Sequence, residues 1–165
     1  MPNIGRETGF GELIAAGEGR LVGSGAISLR VKVESAETGG AFALVEVVMQ
    51  PQLWEGPAPH IHHSGSETFY VIEGTLKMLA GGDVVQATAG TCVHVPAGTV
   101  HAFSNPGHGP VRFLQMLAPG SLLTMVEEIT SLVAAGIQDR AQIAAIFRRH
   151  ESEQVPSESW MERSK

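Results

Sequence analysis

Apolar residues alternate with polar residues along the first two thirds of the chain, which is the pattern of β-strands with one buried face. Residues 27–33 place isoleucine, leucine and two valines on one face, and serine, arginine and lysine on the other. Residues 41–49 are almost continuously apolar and β-branched, which predicts a more central strand that ends before Pro51.

The alternation continues as short apolar segments that are separated by glycine-rich turns. Further strands are predicted at residues 67–72, 75–79, 84–85, 93–95, 100–103 and 111–117. Short strands with a turn after about every eight to twelve residues are typical of an all-β sandwich or barrel.

The hydrophobic period changes after residue 120 from that of a strand to that of a helix. Apolar residues recur at helical spacing over 122–133, behind Ser121 as a candidate N-cap, and Gly136 ends the pattern. Asp139 is the candidate N-cap of a second amphipathic helix that ends near Arg149. We expect both helices to cover the β-structure or to contribute to a dimer interface.

These patterns divide the chain into four segments. Residues 1–25 are predicted to form an N-terminal arm or edge segment, and residues 26–118 the β-sandwich or barrel. Residues 121–150 hold the two helices, and residues 151–165 form a polar tail that we expect to be frayed, unless Trp160 docks it.

Composition limits the kinds of partner that the protein can have. The 165 residues suit one domain, and a net charge of -6 without a Lys/Arg cluster argues against nucleic acid as a partner. The N-terminus lacks the apolar core of a signal peptide, so we expect a soluble, cytoplasmic protein that does not interact with membranes. The single cysteine, Cys92, excludes an intrachain disulfide and is expected to be a small buried hydrophobe.

Four residues carry the candidate chemistry of this chain: His60, His62, Glu67 and His101. Three imidazoles and a carboxylate are typical of a catalytic first-row metal site, since structural zinc sites favour thiolates. His60 and His62 are two positions apart, so on a strand they share one face. The other histidines have different predicted roles.

Those other histidines are expected to lie outside the ligand set. His63 falls on the opposite face from the pair, although a shift of one residue in the strand register would exchange it with His62. His94 has the same parity as Cys92, while His108 in a Gly/Pro loop and His150 at a helix end are expected to be solvated.

Apolar side chains surround the candidate ligands in the predicted strands. Phe69 and Val71 share the face of Glu67, and Phe103 shares that of His101, which predicts an apolar substrate pocket beside the ligands. Trp54, in the proline-rich loop 50–59, is a candidate substrate contact at the pocket mouth. Packing of Trp54 onto the body of the domain is the alternative, and it is the commoner role for such a residue.

Two motifs in the chain resemble those of the cupin superfamily. The first, G-x5-H-x-H-x3-4-E-x6-G, is met by His60, His62, Glu67 and Gly74, with Trp54 in place of the opening glycine. The second, G-x5-P-x-G-x2-H-x3-N, is met by Gly90, Pro96, Gly98, His101 and Asn105. The flanking strands and the trailing helices also resemble small single-domain bacterial cupins.

The resemblance implies a double-stranded β-helix, the jelly-roll barrel of cupins, followed by C-terminal α-helices. It implies one divalent transition metal ion (iron, nickel, manganese or zinc) held by His60, His62, Glu67 and His101, and a homodimer. By similarity to quercetin dioxygenase-like cupins, we expect a dioxygenase that uses dioxygen on a small aromatic or enolic molecule, with Glu67 as a base. A non-redox cyclase, isomerase or decarboxylase and a non-catalytic binding protein are the alternatives.

Overall fold

The computed structural model describes residues 11–54, 56–137, 139–157 and 160. Its strands are β1 (Arg20–Gly23), β2 (Ile27–Val33), β3 (Ala43–Met49), β4 (His60–His62), β5 (Ser66–Glu73), β6 (Thr75–Ala80), β7 (Asp83–Thr88), β8 (Cys92–Val95), β9 (His101–Ser104), β10 (Val111–Ala118) and β11 (Ser152–Gln154). Its helices are α1 (Leu122–Ala134) and α2 (Arg140–Arg149), and a short 3-10 helix spans Ser35–Thr38. The first ten residues of the predicted arm lie outside the described residues.

The strands form two antiparallel sheets. One sheet has the order β1-β2-β3-β10-β5-β8, and the other has the order β11-β4-β9-β6-β7. β1 lies at an edge of the first sheet, where it pairs with β2. The predicted all-β architecture with two C-terminal helices is confirmed.

The core lies between the two sheets and follows from the alternation in the sequence. In β3 and β10 every second side chain is buried, beginning with Ala43 and Val111. β10 pairs with β3 on one side and with β5 on the other, which places Phe113 opposite both Val47 and Val71. Leu122 of α1 joins the same apolar core. The interior is therefore filled by side chains from both sheets.

The two helices pack on each other and extend the core at one end. Met125 of α1 forms a buried apolar cluster with Ile146 and Phe147 of α2. The carboxylate of Asp139 accepts hydrogen bonds from the backbone N–H groups of two α2 residues, as expected of an N-cap. Ser121 makes no side-chain cap bond, and its backbone is already helical, so its predicted capping role is wrong. Neither helix combines the length and hydropathy that crossing a membrane requires.

The described residues of the C-terminal tail, 151–157 and 160, pack on the barrel. Strand β11 pairs with β4, with Ser152 opposite His62. Further along, the side chain of Trp160 is 7% exposed and packs with Leu79 and Ala102. The Nζ atom of Lys77 lies 4.6 Å from the centre of the Trp160 ring. The frayed-tail expectation is wrong for these residues, and the alternative that Trp160 docks the tail is what the structure shows.

Cys92 is exposed, so the prediction that it is buried is wrong. It lies on β8, at the edge of the six-stranded sheet, where it pairs with Tyr70 of β5. Val93 and Val95 are the β8 residues that contact the core. Because side chains alternate between the faces of a strand, Cys92 and His94 point away from the core.

Candidate metal centre

The four candidate ligands come from both sheets and meet in the interior. His60 and His62 lie on β4, His101 lies directly opposite His60 on the neighbouring strand β9, and Glu67 projects from β5 in the facing sheet. Their donor atoms all lie within 4.8 Å of one another. The structure therefore brings together all four residues that the motifs selected.

The cluster is closed off from solvent. His60 is 5% exposed, His62 and Glu67 are each 2% exposed, and His101 is fully buried. Polar groups buried to this degree are costly unless they are paired or bind an ion. The hydrogen-bond partners of each histidine ring nitrogen therefore determine which nitrogens are available to bind an ion.

Backbone carbonyl groups fix the tautomer of two of the histidine rings. The Nδ1 atom of His60 lies 2.7 Å from the carbonyl oxygen of Ala58, and that of His101 lies 3.0 Å from the carbonyl oxygen of Thr99. A carbonyl oxygen only accepts, so each Nδ1 must carry the hydrogen. In the neutral rings, Nε2 is then left with a lone pair that is free to bind a metal.

The third ring, that of His62, is held by a side chain from the tail. Its Nδ1 atom lies 2.7 Å from the Oγ atom of Ser152, and both side chains are buried. This contact was missed from the sequence. The order of residues carries no sign of it, because it depends on how the C-terminal segment folds back onto β4.

The Nε2 atoms of two of the rings, which face Glu67, have no ordinary hydrogen-bond partner. The Nε2 atoms of His62 and His101 lie 3.2 and 3.3 Å from the two carboxylate oxygens of Glu67, yet these buried nitrogens make no hydrogen bond of acceptable geometry. Neutral rings with hydrogen on Nδ1 would place nitrogen lone pairs near carboxylate oxygens. A cation bound among these atoms removes that repulsion, so the residues present fit a divalent metal.

The pKa values in the cluster reflect burial and mutual interaction. Burial, reinforced by the charge of His101, lowers the pKa of His60 to about 3, so this ring is neutral. Burial alone would raise the pKa of Glu67, but His101 and His62 together hold it well below its usual range. Burial alone would lower the pKa of His101, but the facing carboxylate of Glu67 raises it instead. Glu67 is therefore ionised and ready to bind a cation.

Gln115 supports Glu67 from the neighbouring strand. The Nε2 atom of Gln115 on β10 donates a hydrogen bond of 3.1 Å to Oε2 of Glu67, and the Gln115 side chain is 4% exposed. This role of Gln115 was not predicted from the sequence. The sequence does indicate it, because Gln115 occupies an inward position between Phe113 and Leu117 in an otherwise apolar face.

The predicted substrate contacts fall into two groups. Phe69 and Val71 are fully buried, and Phe103 is 5% exposed. The rings of Phe69 and Phe103 pack against each other and against Phe113, with centroid distances of 5.5 to 5.9 Å. Trp54 is 48% exposed. A role in substrate binding for the buried residues requires space to open beside them, and for all four it stays a prediction.

Helix α2 covers the cluster on another side. The ring of Phe147 packs edge-on against the ring of His60, with 5.4 Å between centroids. Phe147 is itself 5% exposed. Helix α2 therefore contacts a candidate ligand directly, beyond the general covering role that the sequence suggested.

The remaining histidines lie outside the ligand cluster. His63 is exposed, as expected, and its Nε2 atom lies 3.1 Å from a carboxylate oxygen of Glu153. His94 and His108 are also exposed. His150 was expected to be solvated, but its side chain is only 18% exposed and lies 3.3 Å from Glu128.

Comparison with known proteins identifies the barrel. Residues 45–117 match the Cupin_2 family model, described as a cupin domain. The chain is 31% identical over 113 residues to quercetin 2,3-dioxygenase of Bacillus subtilis, and is 26% identical over 85 residues to a mannose-1-phosphate guanylyltransferase of Escherichia coli. These matches cover 66% and 52% of this chain, but only 31% and 17% of the two relatives.

Solved structures show the same fold. A double-stranded β-helix protein from Klebsiella pneumoniae is 29% identical, with a TM-score of 0.50 over 58% of this chain and 79% of that one. A polyketide cyclase from Streptomyces resistomycificus is 20% identical, with a TM-score of 0.50 over 64% of this chain and 83% of that one.

Residues 45–117 therefore match a cupin domain, and the barrel has the double-stranded β-helix fold, as the two motifs predicted. Over 113 residues, the chain resembles a quercetin dioxygenase-like protein. Its buried cluster of three histidines and one glutamate fits a divalent metal ion.

Proposed function

We propose that this protein is a metal-dependent dioxygenase that acts on a small aromatic or enolic molecule. The observation that carries the proposal is the buried set of three imidazoles and one carboxylate, whose possible ligand atoms all lie within 4.8 Å of one another. The similarity to quercetin 2,3-dioxygenase over 113 residues supports the choice of reaction. Because this chain spans less than a third of that relative's length, the activity is proposed for the cupin domain alone.

In this proposal His60, His62, Glu67 and His101 hold the ion. A bound iron, nickel or manganese ion would supply redox chemistry and positions for dioxygen and substrate. The chain's contribution is to hold the three rings in one tautomer and to keep Glu67 ionised. Burial of the cluster excludes bulk water, which strengthens the electrostatic interactions there.

Glu67 has a second proposed role as a base towards an enol or hydroxyl group of the substrate. Gln115 donates to its Oε2 atom, while Oε1 faces His62. The lowered pKa of Glu67 makes it a weak base in the metal-free cluster. Proton transfer to Glu67 therefore requires a substrate hydroxyl that is itself acidic, as enolic and phenolic groups are relative to alcohols.

The proposed substrate is flat and apolar because of the side chains around the ligands. Phe69, Val71 and Phe103 are the inner contacts in this proposal, and Trp54 contacts the substrate from the surface loop. The inner three are buried, so binding requires the core or the α2 cover to move. A cytoplasmic location and a homodimer belong to the same proposal.

Oxygen consumption tests the reaction. Protein loaded separately with iron, nickel and manganese is incubated with a flavonol, a β-diketone and a catechol while dissolved oxygen is recorded. We expect substrate-dependent uptake with at least one combination, and its loss in Glu67→Gln. His63→Ala is the matched control, since His63 is an exposed neighbour of the ligands. Uptake in none of the combinations would overturn the proposal and would favour a non-redox or purely binding role.

A further inference from the structure

We propose that Ser152, at the start of the C-terminal strand β11, is a positioning residue that sets the tautomer and orientation of His62 for metal binding. The inference rests on the metal-binding part of the proposed function and not on dioxygenase chemistry. It assigns a role in the centre to a segment that follows the barrel and both helices. The inference is supported by a relay of two hydrogen bonds, one between His62 and Ser152 and the other between Ser152 and His150.

The direction of each hydrogen bond in the relay follows from its acceptor. The Oγ atom of Ser152 lies 2.9 Å from the carbonyl oxygen of His150, which can only accept, so the single hydroxyl hydrogen points there. Oγ can then offer only lone pairs to Nδ1 of His62, which lies 2.7 Å away. The hydrogen of His62 is consequently on Nδ1, and its buried Nε2 atom presents a lone pair to the cluster.

His62 differs in this respect from the other two histidines. The Nδ1 atoms of His60 and His101 donate to carbonyl groups only two residues earlier in the chain, so their tautomers are set locally. The partner of His62 is 90 positions away. Without the Ser152 hydroxyl, the neutral ring of His62 loses the hydrogen bond that favours hydrogen on Nδ1. Hydrogen on Nε2 would block metal binding.

The two helices and the strand that follows them place Ser152 beside His62. α2 ends at Arg149, and the Nε2 atom of His150 then lies 3.3 Å from Glu128 of α1. Glu151 takes a left-handed backbone conformation with φ of 49°, and β11 begins at the next residue. The register of β11 on β4 then sets Ser152 opposite His62. Docking of the C-terminal segment therefore completes the metal centre.

The first test is metal affinity in Ser152→Ala. Zinc ion is the probe, in competition with a chromophoric chelator, and we expect affinity to fall roughly 10- to 100-fold, the usual effect of removing a partner of a ligating histidine. Ser64→Ala is the matched control. The Ser64 hydroxyl donates its hydrogen bond to Glu151 of the same tail segment and not to a ligand, so its loss should leave zinc affinity unchanged.

Affinity of Ser152→Ala within about twofold of the wild type would overturn the inference. A fall of equal size in Ser64→Ala would also overturn it, because the loss would then reflect general loosening of the β4–β11 junction. Failure of the wild type itself to bind zinc or any other first-row divalent ion would instead overturn the proposed function.

The second test is the tautomer itself, observed by NMR of the histidine ring nitrogens in the metal-free wild type at a pH where His62 is neutral. We expect the hydrogen of His62 on Nδ1, and a shift of the population towards Nε2 in Ser152→Ala. A purely structural role for Ser152 would not move this signal. Hydrogen on Nε2 of His62 in the wild type would overturn the inference, even if Ser152→Ala did not fold.

Discussion

The ring of Phe147 on α2 lies edge-on against the ring of His60 on β4, with 5.4 Å between their centroids. This contact makes α2 a cover over one ligand.

We predict that Phe147→Leu weakens the cover by about 1 kcal/mol and so raises the population of the opened state roughly fivefold. The measurement is the rate at which excess chelator removes bound metal, which should rise by a similar factor. Val133→Ala, at a position of α1 that is 60% exposed, is the control. An unchanged rate in Phe147→Leu would show that metal leaves by another route.

Gln115→Leu should weaken metal binding while preserving the fold. The substitution removes the hydrogen bond to Oε2 of Glu67 but keeps a similar volume at a buried position. We expect roughly a 10-fold loss of metal affinity, at the lower end of the effects seen when support for a ligand is removed. Competition titration with a chelator measures it. Gln86→Leu on the exposed side of β7 is the matched control, and equal affinity in the two variants would exclude the supporting role.

Metal affinity should depend on pH through His101. Glu67 raises the pKa of His101 above its ordinary value of about 6.5. The metal-free ring therefore keeps its proton to a higher pH than a free imidazole does. A metal must displace that proton, so apparent affinity should fall about tenfold per pH unit below the raised pKa. Glu67 and His60, whose pKa values are lowered, stay deprotonated until the solution is strongly acidic. Titrations between about pH 5 and 8 that gave a constant affinity would contradict this assignment.

The same pair links the stability of the metal-free protein to pH. A group whose pKa is raised on folding stabilises the folded state fully below its unfolded value and loses that effect as the pH rises through the folded value. The contribution of His101 should therefore decline as the pH rises above about 6.5, whereas below that pH the lowered pKa of His60 destabilises the folded state and opposes it. Added metal should reverse the trend, because it favours the deprotonated ring.

Cys92 should react with a thiol reagent in the folded protein. Its side chain is exposed on the edge strand β8. We expect complete modification without denaturant, and Cys92→Ser should leave metal affinity unchanged because Cys92 is not part of the ligand cluster. Reaction only after unfolding would contradict the orientation of β8.

Local periodicity was sufficient to predict the strands and the face on which each ligand lies, while the resemblance to the cupin motifs implied the barrel and the shared ligand set. Alternation in β5 places Glu67 on the same face as Phe69, and the spacing of His60 and His62 directs both rings inward. Gln115 could have been found by the same reasoning, as one polar residue in the alternating apolar face of β10. Cys92 was predicted to be buried because its neighbours in the chain are apolar, although it lies on the same strand face as His94.

Ser152 could not be predicted, because its role depends on tertiary packing. Its position beside His62 depends on the packing of α1 against α2 and on the register of β11 on β4. The sequence around it is polar and has no strand periodicity. The closing of the centre by Phe147 is equally non-local, since the apolar stripe of α2 predicts a buried face but not what it covers.

We expect His60, His62, Glu67 and His101 to bind one divalent ion. Elemental analysis of protein purified without chelator or nickel resin, alongside His62→Ala prepared in the same way, measures this binding. We expect about one equivalent of iron, nickel, manganese or zinc per chain in the wild type, and a large loss in the variant. A wild-type protein that contained no such metal, and took up none on addition of each ion, would contradict it.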